Sequence, residues 1–509
     1  MQLDTPGGRR AWPLLGVLAA SLLFRAPALL HARETNSDAA VVGLQAMHFL
    51  RGEWSWFLWG SGYQTSVDSA VAAVFFALLG PTPLALLFSS LALHLVLTAL
   101  AWNTLARRLD PGRAALCVLP LVFTSCPSQT YILYPPRQAA LTLAVAALWL
   151  LDRAADSKRS SLFAASGAIL GLACFADPYA LVLVPPIAIF GCACALERGA
   201  LSASAGRLGG LAAGGLAGAL PARLLRMHAH ATHGQLDLSA GVLARNFHLL
   251  VDPCLPWALG ARAYGTPGPA MGYTAWDGPS LVRSFELAGG ALFLLALLAG
   301  GALLFARSIP WPVRRLALAG ALAIPVTVAG FLVSPMVMDL FSARYLAAIP
   351  LLAPFALAPV ASKLGLRPFA LLVAPIVATT GLAGWIGYGP FLLPANPNEE
   401  AHLERVLAEQ GIHAAIADYW VSYRLTFLTR EGLRVVPTNP AEDRYRPYRE
   451  EYENTGRVAY IYDPLRSRES ASWFAEREAA GQPLLVGPLQ IIHAGRFKAV
   501  IGTHPPAAR

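Results

Sequence analysis

Charged residues are scarce in this sequence. Of its 509 residues, 14% are Asp, Glu, Lys or Arg, 56% are hydrophobic, and the mean hydropathy is +0.50. Soluble domains usually carry about 25% charged residues. The shortage of charge excludes an ordinary water-soluble enzyme and predicts an integral membrane protein.

Long uncharged stretches support this prediction. Four of them approach or exceed the ~20 residues that a helix needs to cross the hydrocarbon core of a bilayer. They must be helical, because lipid offers no hydrogen-bond partners to an open backbone. The four stretches are residues 84–105, 287–305, 316–333 and 368–388.

Cysteines are also few, and the spacing of the six does not resemble a zinc site. Four lie in apolar stretches, where a cysteine is usually a small buried hydrophobe. Cys126 and Cys254 are expected to face outward, which leaves one disulfide open. His228, His230 and His233 have no matching carboxylates and are interpreted as surface residues. The residues therefore predict no metal site and no cofactor, and a divalent metal stays an option without support.

Apolar windows predict about eleven membrane helices. The first follows Arg9-Arg10 and is interpreted as a retained signal-anchor. The predicted helices span residues 12–30, 83–105, 114–125, 138–151, 162–175, 179–196, 208–220, 287–306, 316–333, 345–361 and 368–388.

Basic residues give this topology an orientation. With the N-terminus in the cytoplasm, five clusters of Lys and Arg fall in cytoplasmic loops, as the positive-inside rule requires. The net charge of +9 therefore indicates membrane topology and not nucleic-acid binding. The clusters are Arg107-Arg108 with Arg113, Arg153 with Lys158-Arg159, Arg198 with Arg207, Arg307 with Arg314-Arg315, and Lys363 with Arg367.

The same count predicts two domains in a multi-pass membrane protein. Residues 1–393 form the transmembrane domain, with large outer loops at 31–82 and 226–284, and the apolar segment 67–80 is interpreted as a helix on the outer surface. Residues 394–509 form a small extracytoplasmic α/β domain. Its expected elements are a helix over 399–410 and strands over 413–418, 457–462 and 496–501.

Asp38 is the first candidate for chemistry. It lies where the first hydrophobic helix ends, and it precedes the apolar segment 39–50, so it can either cap that helix or act in a site. The loop that follows is rich in Trp, Tyr and Gly, which suits an interfacial aromatic belt or a platform for sugar rings.

Several arginines at helix ends form a second candidate feature. Charged residues at the edge of a membrane span are costly, so they call for a functional interpretation. If they converge, they form an anion site, because the planar guanidinium binds two phosphate oxygens at once. These arginines are Arg25, Arg137, Arg223, Arg226 and Arg344. Asp177, between two predicted spans, is the next candidate acid, although capping the following helix is its simpler role.

The order of these features resembles the GT-C glycosyltransferases. The resemblance is carried by Asp38 after a signal-anchor, by residues 43–52 (GLQAMHFLRG) and by residues 59–63 (WGSGY). More narrowly, the chain resembles the bacterial branch related to protein O-mannosyltransferases and aminoarabinose transferases, which implies a location in a bacterial inner membrane. Residues 342–346 (SARYL) are similar to the basic start of a late span in such proteins, and residues 415–420 (AIADYW) and 423–427 (YRLTF) to their appended outer domain.

This resemblance implies transfer of a sugar from a polyprenyl-phosphate donor to an unidentified saccharide, lipid or protein acceptor. Asp38 would be the catalytic base, and attack would invert the anomeric carbon. Arg137, Arg344 and Arg25 would bind the donor phosphate. The first loop would contribute Trp59, Tyr63 and Asp68, with Asp177 and Tyr345 as secondary candidates. Many relatives carry Asp-Glu where this chain has Asp38-Ala39, so Asp68 is the candidate for a second acid.

Two other interpretations stay open. A transporter or flippase of a lipid-linked saccharide needs the same arginines, although the paired half-sequences of transporters are not evident. A catalytically inactive membrane scaffold is the other. The mixed-charge stretch 443–452 (DRYRPYREEY) of the last domain is interpreted as solvated surface.

Overall fold

The structure is a computed structural model that describes residues 8–196, 201–226, 236–266, 272–392 and 398–505. Within these ranges, six helices are long and apolar enough to cross a membrane, and a bent pair of helices forms a seventh candidate. The protein is therefore a multi-pass membrane protein. The six are Ala11–Leu30, Pro83–Ala106, Gln138–Ser157, Ser280–Phe305, Trp311–Leu332 and Leu366–Gly387, and the pair is Leu340–Leu346 with Ala348–Lys363, bent by 41°.

Helices fill the first part of the chain. Their bounds are α1 (Gly8–Leu30), α2 (Ser37–Leu50), α3 (Val67–Leu79), α4 (Pro83–Ala106), α5 (Pro111–Val122), α6 (Cys126–Leu133), α7 (Gln138–Ser157), α8 (Ser160–Ala176), α9 (Val184–Ala195), α10 (Leu201–Arg226), α11 (Ala240–Leu249), α12 (Leu255–Ala258), α13 (Ser280–Ala302), α14 (Trp311–Leu332), α15 (Ala348–Lys363) and α16 (Leu366–Leu392). Short 3-10 turns occur at Ala32–Glu34, Pro178–Val182, Leu303–Phe305 and Leu340–Leu346, a π turn at Leu250–Cys254, and a two-strand ladder joins β1 (Tyr264–Gly265) to β2 (Thr274–Ala275).

Each of the eleven predicted membrane segments overlaps one of these helices. Some of these helices are too short to span the membrane alone. Helices α5 and α9 have 12 residues each, and at 1.5 Å per residue a helix of that length covers only about 18 Å of the ~30 Å hydrocarbon core. The count of complete spans by length and composition is therefore six or seven.

Three basic residues from two separate predicted cytoplasmic loops meet at one buried acid. Arg107 and Arg108 at the end of α4 contact Asp152 at 3.2 and 2.7 Å, and Arg315 of α14 contacts it at 3.4 Å. Asp152 and Arg315 have no exposed side-chain surface. A buried acid with several cationic partners is stable where an unpaired one is not, so these loops lie at the same end of the helices.

The C-terminal part is a small α/β domain, as predicted. Its five-stranded sheet has the order β4-β3-β5-β7-β6, parallel among the first three strands and antiparallel at β5/β7 and β7/β6. The elements are α17 (Glu399–Glu409), β3 (Ala414–Ala417), α18 (Tyr419–Leu428), β4 (Arg434–Pro437), a 3-10 turn at Pro440–Glu442, α19 (Arg446–Asn454), β5 (Arg457–Tyr462), α20 (Trp473–Ala479), β6 (Val486–Ala494) and β7 (Phe497–Thr503).

Helix α18 joins this domain to α2 of the first loop. Buried residues of both helices, among them Leu44 and Phe427, belong to one hydrophobic cluster. The helices approach so closely that a Cβ atom added at Gly43 would lie 2.7 Å from the Phe427 ring. A glycine is required at this crossing, and the close contact fixes α2 relative to the domain.

All six cysteines have free thiols. The disulfide that the sequence left open between Cys126 and Cys254 is therefore not formed. Both residues are buried, whereas the sequence analysis expected them to face outward. The segment with His228, His230 and His233 lies outside the described residues. The side chains of Arg223 and Arg226 are not described either.

Candidate active site

A cavity of about 650 Å³ lies between the membrane helices and the C-terminal domain. Asp38, Arg137 and Arg344, from three distant parts of the sequence, all line it. The tertiary structure thus brings the predicted base together with two of the three predicted phosphate ligands. The other predicted residues on its wall are Trp59, Tyr63 and Tyr345.

Asp38 lies in the first turn of α2, and its carboxylate is not the helix cap. The side chain of Asn36 takes that role by accepting the backbone N–H of Ala39 at 2.8 Å. Asp38 Oδ1 instead accepts a hydrogen bond from the hydroxyl of Tyr419 at 2.5 Å. The partial positive charge of the helix N-terminus favours a negative group here, and Asp38 lines the cavity.

Arg137 is held by two carboxylates. Asp68 accepts the backbone N–H groups of Arg137 and Ala139, both at 3.1 Å, and so caps α7. Asp177 accepts from Nε of Arg137 at 2.9 Å and also from Gln64 at 2.7 Å. The backbone of Arg137 has φ +113°, which is uncommon outside glycine and is retained mainly where the surroundings impose it.

These contacts give Asp68 and Asp177 structural roles. Neither is among the residues that line the cavity, so the structure does not bring Asp68 beside Asp38 there, and its role as a second acid stays a prediction. Burial raises the pKa of Asp68 to about 6, against the lowering effect of its two backbone hydrogen bonds. Both carboxylates position Arg137, and the sequence analysis missed this because they lie 69 and 40 residues from it.

Arg344 and Arg137 share an aromatic neighbour. The Tyr345 ring centroid lies 5.1 Å from Cζ of Arg344 and 5.9 Å from Cζ of Arg137. Arg344 also donates to the Tyr345 hydroxyl at 3.2 Å and lies 4.4 Å from the Phe341 ring. Cation–π contacts of this kind order guanidinium groups without neutralising them. The pair forms a positive wall suited to a phosphate or carboxylate.

Tyr179 anchors this wall at the bend before α15. Its hydroxyl donates to the backbone oxygen of Tyr345 and accepts from the N–H of Ala348, both at 3.0 Å. The hydroxyl therefore pairs two backbone groups at the bend, where lipid would offer them no partner. The kink places Arg344 and Tyr345 at the cavity rather than within a straight helix.

Arg25 is not part of this arrangement. Its guanidinium is buried against Ser21 and the backbone oxygen of Leu121, at 2.8 and 3.3 Å, beside a separate narrow groove. The structure therefore places Arg25 apart from Arg137 and Arg344, and its assignment to the donor phosphate stays a prediction. The position of Arg25 at the end of an apolar stretch indicates that its charge needs partners. It does not indicate which face of the helix the side chain occupies.

The C-terminal domain contributes cavity residues that the sequence analysis did not select. Arg444 lies in the stretch 443–452, which was interpreted as solvated surface. Tyr448, Arg449 and Tyr452 of that stretch are buried, and Arg444 faces the cavity, so that interpretation is wrong. The signal was the aromatic content, which is unusual for a surface helix. The domain's residues on the wall are Tyr419, Trp420, Arg444, Arg466 and Arg468.

The cavity is positively charged overall. Among the described residues, its wall includes five arginines and three carboxylates, Glu34, Asp38 and Asp339. Arg466 pairs with Glu34, and Arg468 pairs with Asp418 and Glu442 outside the wall, at 2.9 and 2.8 Å. Arg137 is likewise paired with Asp177 at 2.9 Å, but the wall itself carries more arginines than carboxylates, so the site favours an anionic ligand. No group of three or more potential metal ligands occurs among the described side chains.

Comparisons with known proteins give one sequence match and several structural ones. Residues 66–221 match the family described as dolichyl-phosphate-mannose-protein mannosyltransferase. A search of curated protein sequences finds no significant match.

The structural matches are distant. ArnT from Cupriavidus metallidurans in the apo state shares 14% identity, with 94% of this chain and 97% of that chain covered and a TM-score of 0.46. The structure of ArnT bound to undecaprenyl phosphate gives 13% identity, 98% of both chains and a TM-score of 0.47. The Archaeoglobus fulgidus oligosaccharyltransferase tethered with an acceptor peptide gives 12% identity, 94% of this chain, 73% of that chain and a TM-score of 0.49.

The family match covers helices α3 to α9 and most of α10. Its range includes Asp68, Arg137 and Asp177. It confirms the resemblance that the sequence analysis drew from Asp38 and the loop after it. Over residues 66–221 the sequence is similar to the dolichyl-phosphate-mannose-protein mannosyltransferases, which are GT-C type glycosyltransferases.

Proposed function

We propose that this protein transfers a sugar from a polyprenyl-phosphate-linked donor to an acceptor at the outer face of the membrane, with Asp38 as the base. One observation carries the proposal. Asp38 and the pair Arg137 and Arg344 line a single cavity between the membrane helices and the C-terminal domain. A base and a phosphate site in one cavity are what a one-step displacement at an anomeric carbon needs.

The chemistry divides between these groups. Asp38 accepts the proton of the acceptor hydroxyl or amine as that group attacks the anomeric carbon, so the configuration inverts. The bond from that carbon to the phosphate oxygen breaks, and the electron pair leaves with the polyprenyl phosphate. Arg137 and Arg344 stabilise the negative charge that develops on the departing phosphate.

The family match and the site support a lipid-linked donor. The matched family is described by a lipid-phosphate sugar donor, and the arginine wall is formed by residues at the ends of membrane helices α7 and α15. The distribution of basic loops, which meet at Asp152 on one end of the helices, supports a cytoplasmic position for that end. The cavity would then open on the other side.

Replacement of Asp38 by Asn tests the proposal, because it keeps the shape of the side chain and removes the base. Reconstituted protein is incubated with polyprenyl-phosphate mannose and, separately, with polyprenyl-phosphate aminoarabinose, together with a cell-envelope fraction as the acceptor source. The measured quantities are label transferred and polyprenyl phosphate released. We expect Asp38→Asn to lose about 10²–10⁴-fold in rate.

Asp277→Asn is the matched control, since the Asp277 side chain is 91% exposed and lies outside the cavity. Transfer by Asp38→Asn at the rate of this control would contradict the role of Asp38. Movement of the intact donor across the membrane without release of polyprenyl phosphate by the unaltered protein would favour a flippase instead.

A further inference from the structure

The side chains of Arg444 and Tyr419 form a chain of hydrogen bonds that ends on Asp38. Nε of Arg444 donates to the Tyr419 hydroxyl oxygen at 3.2 Å, and that hydroxyl donates to Asp38 Oδ1 at 2.5 Å. Successive donors polarise one another, so such chains are stiffer than isolated bonds. Both donors come from the C-terminal domain, whereas Asp38 belongs to α2.

This chain of hydrogen bonds makes the two carboxylate oxygens of Asp38 different. Oδ1 is occupied by Tyr419, and among the described residues no protein donor is recorded for Oδ2. Tyr419 stays a donor, because burial and the negative charge of Asp38 raise its pKa well above the ordinary value. One oxygen is therefore anchored, and the other is left available in a residue that lines the cavity.

Two further contacts fix Arg444, where this chain of hydrogen bonds begins. The backbone N–H of Arg444 donates to the Tyr423 hydroxyl at 2.5 Å, and Nη1 of Arg444 donates to the backbone oxygen of Gly60 at 3.2 Å. A Cβ atom at Gly60 would lie 2.7 Å from Cα of Arg444, and Gly60 has φ +64°. Only glycine permits this approach, so the first loop and the domain are fitted to each other around Arg444.

We infer that Tyr419 and Arg444 are positioning residues: docked against the first loop, the C-terminal domain completes the site by holding Asp38 Oδ1 so that Oδ2 meets the acceptor proton. The inference rests on the proposed function for the reaction itself. The hydrogen-bond chain does not depend on that function and is tested separately below.

The first test measures transfer with polyprenyl-phosphate mannose or aminoarabinose in the full reconstituted chain. We expect Tyr419→Phe to lower kcat about 10-fold or more with the donor KM unchanged, because a misaligned base affects the chemical step and not donor binding. If Tyr419 acts only through Asp38, replacing Tyr419 lowers the rate no further once Asp38 itself has been replaced. The double variant Asp38→Asn/Tyr419→Phe is therefore expected to match Asp38→Asn alone.

Tyr452→Phe is the matched control, a buried tyrosine of the same domain that does not line the cavity, and its kcat is expected to be unchanged. An unaltered kcat in Tyr419→Phe would overturn the inference. So would a loss in the double variant equal to the product of the two single losses, since that marks independent effects.

The second test requires no substrate and separates failure of this inference from failure of the proposed function. Amide hydrogen exchange is followed in the first turns of α2 and at residues 442–446. We expect Gly60→Ala and Tyr419→Phe to speed exchange there at least 10-fold. Gly52→Ala shares the strain of a positive φ, +88°, but has no atom within 4 Å of its added Cβ, and is expected to leave exchange unchanged.

If the unaltered protein transfers no sugar but exchange responds in this way, the proposed function fails and the docking of the domain on Asp38 stands. If exchange is the same in Gly60→Ala, Gly52→Ala and the unaltered protein, the domain does not hold Asp38, and the inference is refuted whatever the activity.

Discussion

The contact between His48 and two carboxylates predicts that the docking of the C-terminal domain depends on pH. His48 lies near the end of α2, with Nδ1 2.6 Å from Glu53 and Nε2 2.8 Å from Glu431 of the domain. Glu431 is also contacted by Arg51 and by the Tyr448 hydroxyl, each at 2.5 Å. We call these five residues the His48 cluster.

The pKa of His48 sets the direction of the effect. Burial disfavours the charged ring, but the hydrogen bonds to Glu431 and Glu53 outweigh it and raise the pKa of His48 above its ordinary value. The charged ring thus stabilises the docked state fully below the unfolded pKa of about 6.5. This stability is lost as the pH rises through the raised pKa of the docked state.

Glu431 limits the range on the acid side. Burial opposes its ionisation, but hydrogen bonds from His48, Tyr448 and Arg51 prevail and lower its pKa to about 2. Its contribution is present above the unfolded pKa of about 4.3 and is lost as the pH falls toward 2. Docking should therefore be strongest between about pH 4.5 and 6.5.

The size of the effect follows from burial. The side chains of His48 and Glu431 are each 7% exposed, whereas that of Glu53 is 56% exposed. A hydrogen bond between charged buried groups contributes about 1.5–3 kcal/mol, and an exposed pair contributes ~1 kcal/mol or less. We take about 2 kcal/mol for the loss of the charge on His48, which is roughly 30-fold in an opening equilibrium.

Amide exchange at residues 428–432 and 445–449, corrected for intrinsic rates, measures this opening at pH 6 and pH 9. In the unaltered protein we expect exchange to be roughly 30-fold faster at pH 9 than at pH 6. In His48→Gln we expect no pH dependence. His493→Gln is the control, since His493 is exposed on β6. Equal protection at both pH values, or an undiminished pH response in His48→Gln, would refute the reasoning.

Two other substitutions test the packing and the anion site. Gly43→Ala inserts a Cβ atom 2.7 Å from the Phe427 ring and should destabilise domain docking by about 1–3 kcal/mol, seen as earlier thermal unfolding. Gly16→Ala, with no atom within 4 Å, should not lower the unfolding temperature, and an equal effect of both would show that the contact is absent. Arg344→Gln should weaken binding of undecaprenyl phosphate about 10-fold or more, whereas Arg283→Gln, half-exposed outside the cavity, should leave it unchanged, and equal affinities would remove Arg344 from the site.

Local patterns in the sequence predicted several elements nearly to the residue. The strand predicted at 457–462 is Arg457–Tyr462, and the helix predicted at 399–410 is Glu399–Glu409. Hydrophobic periodicity and a glycine after the last helical residue are local signals. They predict an element correctly because they do not depend on contacts with distant parts of the sequence. Strand β6 (Val486–Ala494) was missed, because it lies at the sheet edge and most of its residues are exposed or half-buried.

The site was predicted less completely, and the reason is again physical. Asp38 and Arg137 were found because a charge at the end of an apolar stretch is costly and visible in one dimension. Tyr419 was not found, because an aromatic residue at the start of a helix in a soluble domain has no such signature. Its partner Asp38 lies 381 residues away.

The sequence alone determined that the chain crosses a membrane, where its apolar helices lie, and that its charges gather at their ends, since these follow from the cost of placing charge in lipid. Only the tertiary structure decided which charges meet. It places Arg344 with Arg137, moves Arg25 to a separate groove, and sets Tyr419 on Asp38. Hydrogen bonds and ion pairs act over a few ångströms, and the distances between side chains remote in sequence are set by packing.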